Sequence, residues 1–98
     1  MPYKINYSPL AVENLRGFRA FDQALIKETI DTHLKHEPKK ESKSRIKHLR
    51  GFTQPEYRLR VGDDIRVIYD VSVECVTIHA IVRKEDVDDW LLRYGVKS

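Results

Sequence analysis

The sequence predicts an α+β fold, in which a small antiparallel sheet (a first strand plus a three-strand meander) carries two N-terminal helices and a short C-terminal helix. Three observations predict it. Residues 56–71 form two alternating apolar–polar runs joined by Gly62-Asp63-Asp64. Two stretches with helical apolar spacing precede these runs, and a third closes the chain. At 98 residues the chain supports one modest core, so residues 1–98 are expected to form a single domain.

Taken in order, Tyr3-Lys4-Ile5-Asn6-Tyr7 alternates as a half-buried strand does. Ser8-Pro9 reads as a helix N-cap followed by proline at the first helical position, with Leu10, Val12, Leu15 and Phe18 as apolar contacts and Gly17 as terminator. A second helix is expected from Asp22 to about His36, its stripe made by Leu25, Ile26, Ile30 and Leu34, and Pro38 ends it. Residues 39–47 are polar and basic.

In the hairpin, Tyr57, Leu59 and Val61 point one way and Arg58 and Arg60 the other, because strand side chains alternate with a period of two. A three-residue loop pairs Val61 with Ile65 and Arg60 with Arg66, which puts the apolar residues on one face; a two-residue loop would oppose the core faces. Cys75 to Val82 reads as the last strand. Pairing Val71 with Val76 places Val76, Ile78, Ala80 and Val82 on the core side, and His79 and Arg83 beside the arginines. From Lys84 or Glu85 a short helix follows, with Val87, Trp90, Leu91 and Tyr94 as its stripe and Gly95 as its stop.

Charge is unevenly distributed along this framework. Residues 1–38 sum to zero, residues 39–66 to +5 and residues 67–98 to −2, within a net charge of +3. A basic centre points to a polyanionic partner. The single cysteine, Cys75, excludes an internal disulfide and argues against a cysteine zinc site. The N-terminus lacks the apolar run of a signal peptide, and no stretch is long and apolar enough to span a membrane, so a cytoplasmic protein is expected.

Four arginines on one sheet face carry a folding cost, since like charges opposite one another are destabilising. Phosphate is their natural ligand, because guanidinium offers a planar fork of donors and keeps its charge. Histidine is the usual proton carrier near neutral pH, which makes His79 on the arginine face and His48 beside the basic segment candidates for acid or base. His33 and His36 share the second helix without a third ligand in view.

Leu49-Arg50-Gly51, followed by Tyr57-Arg58-Leu59-Arg60-Val61, Ile65-Arg66-Val67-Ile68-Tyr69 and a strand running into Arg83-Lys84-Glu85-Asp86-Val87, resembles the RelE/ParE superfamily of type II toxin–antitoxin toxins over nearly the whole chain. The resemblance implies a RelE-like fold and a toxin that cleaves mRNA on the ribosome, arrests translation and is restrained by a cognate antitoxin protein. The implied partners are the antitoxin, the ribosome and mRNA, with no membrane, and the chemistry implies no metal or other cofactor. In it a 2′-hydroxyl attacks the adjacent phosphate and expels the next 5′-oxygen, which calls for a base, an acid and cations around the phosphorane.

By the same resemblance, Arg58 and Arg60 match the family's basic pair and Arg66 its phosphate-stabilising arginine. Arg83 matches the basic residue after the last strand, with Lys84 in its place if that junction aligns one residue later. Lys39, Lys40, Lys43, Arg45, Lys47, His48, Arg50 and Lys84 are the implied RNA and ribosome contacts. Many relatives carry a tyrosine after a Glu-Val or Asp-Val pair, where this chain has Asp88, a carboxylate able to act as a base yet repelled by phosphate. Trp90 or Tyr94 could supply a stacking surface, although their spacing suits the core. The competing functions are a gyrase inhibitor of the ParE branch, a nucleic-acid-binding module without catalysis, and an interaction protein whose basic surface serves only an acidic partner chain.

Overall fold

Alternation and helical spacing resolve, in a computed structural model describing residues 2–98, into a five-stranded sheet with helices on both faces. The chain runs β1 (Lys4–Tyr7), α1 (Pro9–Arg16), α2 (Ala20–Leu34), β2 (Ile46–His48), β3 (Phe52–Gln54), β4 (Tyr57–Val61), β5 (Ile65–Val71) and β6 (Cys75–Arg83). A 3-10 turn at Lys84–Asp86 then leads into α3 (Val87–Tyr94) and β7 (Val96–Lys97). Sheet order is β1-β6-β5-β4-β2, and β3 pairs with β7 in a separate two-stranded ribbon. All neighbours in the main sheet are antiparallel except β1, which runs parallel to β6.

Ser8 caps α1 as its sequence suggests, its Oγ accepting from Ala11 N at 3.0 Å. The same hydroxyl donates to His79 O, and Asn14 Oδ1 accepts from Ile81 N, so α1 satisfies backbone groups of β6 beyond the point where β1 ends. The second helix starts at Ala20 rather than Asp22. Arg19 is its N-cap residue, and Asp22 lies in the first turn, where a carboxylate faces the positive end of the helix dipole.

One core lies between the sheet and α1 and α2. It joins Ala11, Leu15, Ile26, Ile30 and Leu34 to Leu59, Val61, Val67, Tyr69, Val76 and Ile78, all buried. The hairpin has the expected register, with Val61 opposite Ile65 and Arg60 opposite Arg66 around a three-residue turn. Gly62 adopts a φ of 60° there, a left-handed conformation that a side chain disfavours.

The last strand departs from simple alternation. Val71 pairs with Val76 and Tyr69 with Ile78, but Ile68 then pairs with Ala80, leaving His79 as the extra residue of a bulge. Past it every side chain changes face. Ile81 enters the α1/α2 core, whereas Ala80 and Val82 turn to the opposite face with Ile68. The expectation that Ala80 and Val82 share the core side with Val76 is corrected by this bulge, and so is the placement of Arg83 beside the other arginines.

On that opposite face α3 packs Val87 and Leu91 onto Ile68 and Ala80 and brings Trp90 with them, while Tyr94 stays 59% exposed. Gly95 ends the helix in close quarters. A Cβ there would lie 2.7 Å from the Phe52 ring, so the β3/β7 ribbon can close only over glycine.

Tyr69 is fully buried, stacks on Tyr57 and donates its hydroxyl to Pro38 O at 2.7 Å, tying the chain after α2 to the sheet. Burial, helped by Tyr57, raises its pKa far above the ordinary phenol value. Tyr69→Phe strands a buried acceptor and should cost about 1–3 kcal/mol. By the usual scaling each kcal/mol lowers Tm by roughly 4–8 °C, readable in a thermal melt. An unchanged Tm would show that this bond carries no stability.

Candidate functional site

At the hairpin end of the α3 face, β2, β4 and β5 bring basic side chains together. Lys47 lies opposite Arg58 and Arg60 opposite Arg66, so two like-charged cross-strand pairs stand side by side. With Lys43 and Arg45 from the segment before β2, and Lys84 from the turn after β6, they line a cavity of about 220 Å³. Ser44 completes the lining, and no carboxylate or imidazole contributes to it.

Each cation is held differently. Arg66 is 6% exposed, and its Nη1 donates to the carbonyls of Ile65 (2.9 Å) and Asp63 (3.2 Å). Its pKa is lowered, first by burial and then by Arg58 and Arg60, with Asp63 and Asp64 opposing. Arg60 donates from Nε to Gly62 O at 2.9 Å and from Nη2 to the Asp63 carboxylate. Arg45 spans the edge of the sheet, its Nη1 on Arg60 O at 3.1 Å. Arg58 makes no ion pair among the described residues and points into the cavity rim half-buried.

Several expected site residues lie elsewhere. Arg83 sits on the other side of β6, ion-paired to Asp64 at 2.6 Å and stacked over the Phe18 ring. The bulge at His79 is the cause, and it hands the place after the last strand to Lys84, the one-residue alternative. His48 is turned away from the arginines and packs edge-on against Tyr57 at 5.1 Å. Lys40 pairs with Glu37 on the surface, and Lys39, Arg50 and Asp88 are exposed outside the cavity lining.

His79 stays on the arginine face but at its far end. Its Nε2 lies 2.7 Å from Asp70 Oδ2, four residues along β5 from Arg66, or about 13 Å by strand rise. Ile68 and Ala80, sealed under α3, lie between the two places. Burial pushes the Asp70 carboxyl up, but hydrogen bonds from His79 and Glu56 N outweigh it and leave its pKa below the ordinary value. Asp70 is therefore a carboxylate at neutral pH, and the imidazole donates to it.

The sequence pattern missed β2. Three residues are too few to show alternation, yet this strand brings Lys47 into the cavity and positions Lys43, Ser44 and Arg45 just ahead of it. The isolated apolar Ile46 inside a basic run was the available signal, since it pairs with Leu59 over the core.

No family model matches the sequence, and no curated protein matches it either. Solved structures do. The RelBE2 toxin–antitoxin complex of Mycobacterium tuberculosis aligns with a TM-score of 0.68 at 21% identity, covering 86% of this chain and 100% of the matched one. The RelE–RelB complex of Pyrococcus horikoshii gives 0.68 at 26% identity over 86% and 97%. That of Methanococcus jannaschii gives 0.63 at 18% over 87% and 96%.

The depressed Asp70 pKa sets a pH dependence. A carboxylate whose folded pKa lies below its unfolded value of about 3.9 contributes stability above that value, and the contribution is lost as pH falls through the folded pKa. Asp70→Asn should thus be less stable than the parent at pH 7, by about 1–3 kcal/mol. In urea melts the difference should shrink below about pH 4; a constant difference down to pH 3 would show that Asp70 is not the titrating group.

A sheet of this order with two helices on one face and a short one on the other, matched over almost the full length of one chain from each of three RelE–RelB complexes, is the RelE-like toxin fold, and this chain has it.

Proposed function

We propose that this protein is the toxin of a type II toxin–antitoxin system and a ribosome-dependent mRNA endonuclease. The observation that carries the reading is the cavity of converging lysines and arginines around a buried Arg66. A cleft of one charge sign with low-dielectric walls concentrates an anionic ligand, and guanidinium groups fixed before the ligand arrives need no reorganisation when charge develops. RNA meets both demands, since its phosphate gains negative charge as the 2′-oxygen adds.

In this reaction the 2′-oxygen forms a bond to phosphorus, the phosphorus–5′-oxygen bond breaks, and a 2′,3′-cyclic phosphate and a 5′-hydroxyl result. Arg66 and Arg58 stabilise the phosphorane, and Arg60, its side chain held by the turn, joins them from β4. His79 and Asp88 lie outside the cavity. Proton transfer therefore falls to the lysines that line it, with Lys84 in the place after the last strand. One lysine, as the free amine, takes the 2′-hydroxyl proton as the oxygen attacks, a second, as ammonium, protonates the leaving 5′-oxygen, and exchange with water resets both. Lys43, Arg45 and Lys47 continue the basic surface from the cavity mouth along the β2 edge, suited to tracking ribosomal or messenger RNA by its phosphates. The similar structures are described as RelE with RelB, which supports a cognate antitoxin as the protein partner.

Primer extension on a defined mRNA, with and without programmed ribosomes, tests the reading. Cuts should require ribosomes, and Arg66→Ala should lower the cleavage rate by about 100- to 1000-fold, the usual cost of losing one fixed donor to a developing oxyanion. Its melting temperature should not fall, because the substitution also removes a buried cation crowded by Arg58 and Arg60. Folded protein that arrests growth yet leaves mRNA intact would instead direct attention to DNA gyrase and a supercoiling assay.

A further inference from the structure

The β4–β5 turn touches more of the cavity than a connecting loop needs to. Asp63 O accepts from Arg66 Nη1 at 3.2 Å, and Asp64 O accepts from Lys84 N at 2.7 Å, so the backbone of the turn positions two cavity residues. The Asp63 carboxylate does something else. It binds Arg60 Nη2 while Gly62 O takes Nε of the same guanidinium, so the turn occupies the edge of Arg60 through Nε and one terminal nitrogen. A guanidinium can receive two phosphate oxygens on this edge or on the Nη1/Nη2 edge, and both include the nitrogen that Asp63 holds.

We propose that Asp63 is the internal counter-ion of the cavity: it holds Arg60 in the free protein and is displaced when a phosphate group takes over that guanidinium. The inference rests on the reading of the cavity as a phosphate site. Its side chain is suited to the exchange, being 95% exposed against 40% for Arg60, so it swings into water with no desolvation to reverse. The neighbouring pair differs. Asp64 engages Arg83 across the sheet edge, away from the cavity, and clamps the turn while Asp63 moves. Holding Arg60 also reduces the repulsion between the opposed Arg60 and Arg66. Asp63 is a positioning residue on this account: it acts on the substrate through Arg60 and selects ligands with enough charge to compete with a carboxylate.

A double-mutant cycle with Asp63→Asn and Arg60→Ala tests this. Asn keeps the backbone carbonyl that Arg66 uses and removes only the charge. Binding is measured by calorimetry with two probes, inorganic pyrophosphate and an oligonucleotide whose 2′-hydroxyls are replaced by hydrogen, so that no cleavage intervenes. Asp63→Asn should bind both probes about two- to fivefold tighter, the factor an exposed ion pair supplies. Asp63→Glu should restore parental affinity. In the Arg60→Ala background the gain should largely vanish. An equal gain in that background would reduce Asp63 to a contributor to net charge and overturn the proposal, as would no gain with pyrophosphate. Tighter pyrophosphate binding without any oligonucleotide binding would uphold the counter-ion and remove the RNA reading instead.

Discussion

The register of the β4–β5 hairpin is the constraint on which the rest of the molecule depends. Strand side chains alternate, so one residue more or less in the Gly62-Asp63-Asp64 turn would carry Leu59 and Val61 to the face opposite Val67 and Ile65. The core beneath α1 and α2 would lose one of the three inner strands of the sheet. The same register opposes Arg60 to Arg66, so the arrangement that builds the core also builds the cationic face. Selecting for burial on one side fixes the charge cluster on the other, and the two cannot be adjusted independently.

A second constraint acts at the other edge. The bulge at His79 gives β6 two different halves: Val76 and Ile78 face the first core, then Ala80 and Val82 face α3. Without the extra residue the small Ala80 would lie under the helices, and Ile81 would lie under α3. The bulge also determines which cation ends the strand in the cavity. Arg83 goes to Phe18 and Asp64 on the far side, and Lys84 takes the cavity position. A one-residue insertion in a strand has in this way exchanged a guanidinium, always charged and bidentate, for an ammonium that can give up a proton.

How legible these features are in the amino-acid sequence follows from how much local repetition each one has. The hairpin is legible because two alternating runs flank a glycine-containing turn within sixteen residues, and α1 because Ser8-Pro9 announces its start. The grouping of Arg58, Arg60 and Arg66 follows from that alternation alone. β2 is not legible, because three residues show no period, and β3 and β7 pair only through a contact between distant parts of the chain. The bulge is hidden for a different reason. Val76, Ile78, Ala80 and Val82 continue an unbroken alternation, so pattern favours the regular strand. Only Ile81, an apolar residue on the supposed charged face, spoke against it; the covering helix α3 lets both faces of β6 be apolar and decides the matter.

The cavity also bears on which ligand the fold can accommodate. Two unit charges about 6 Å apart at an effective dielectric near 20 repel by about 3 kcal/mol, so several cations around one small space cost a domain a sizeable part of its stability. The protein limits that cost by local means: carbonyls hold Arg66, and the turn carboxylate holds Arg60. None of these neutralises Arg66 itself, whose buried guanidinium remains crowded by Arg58 and Arg60. A neutral ligand leaves that repulsion in place, and a single dispersed negative charge relieves little of it. A phosphodiester gaining a second charge as it passes to a phosphorane would relieve the most, so on the proposed reading the interaction strengthens as the reaction proceeds. On that reading the repulsion built into the hairpin face favours a transition state over a bound ground state.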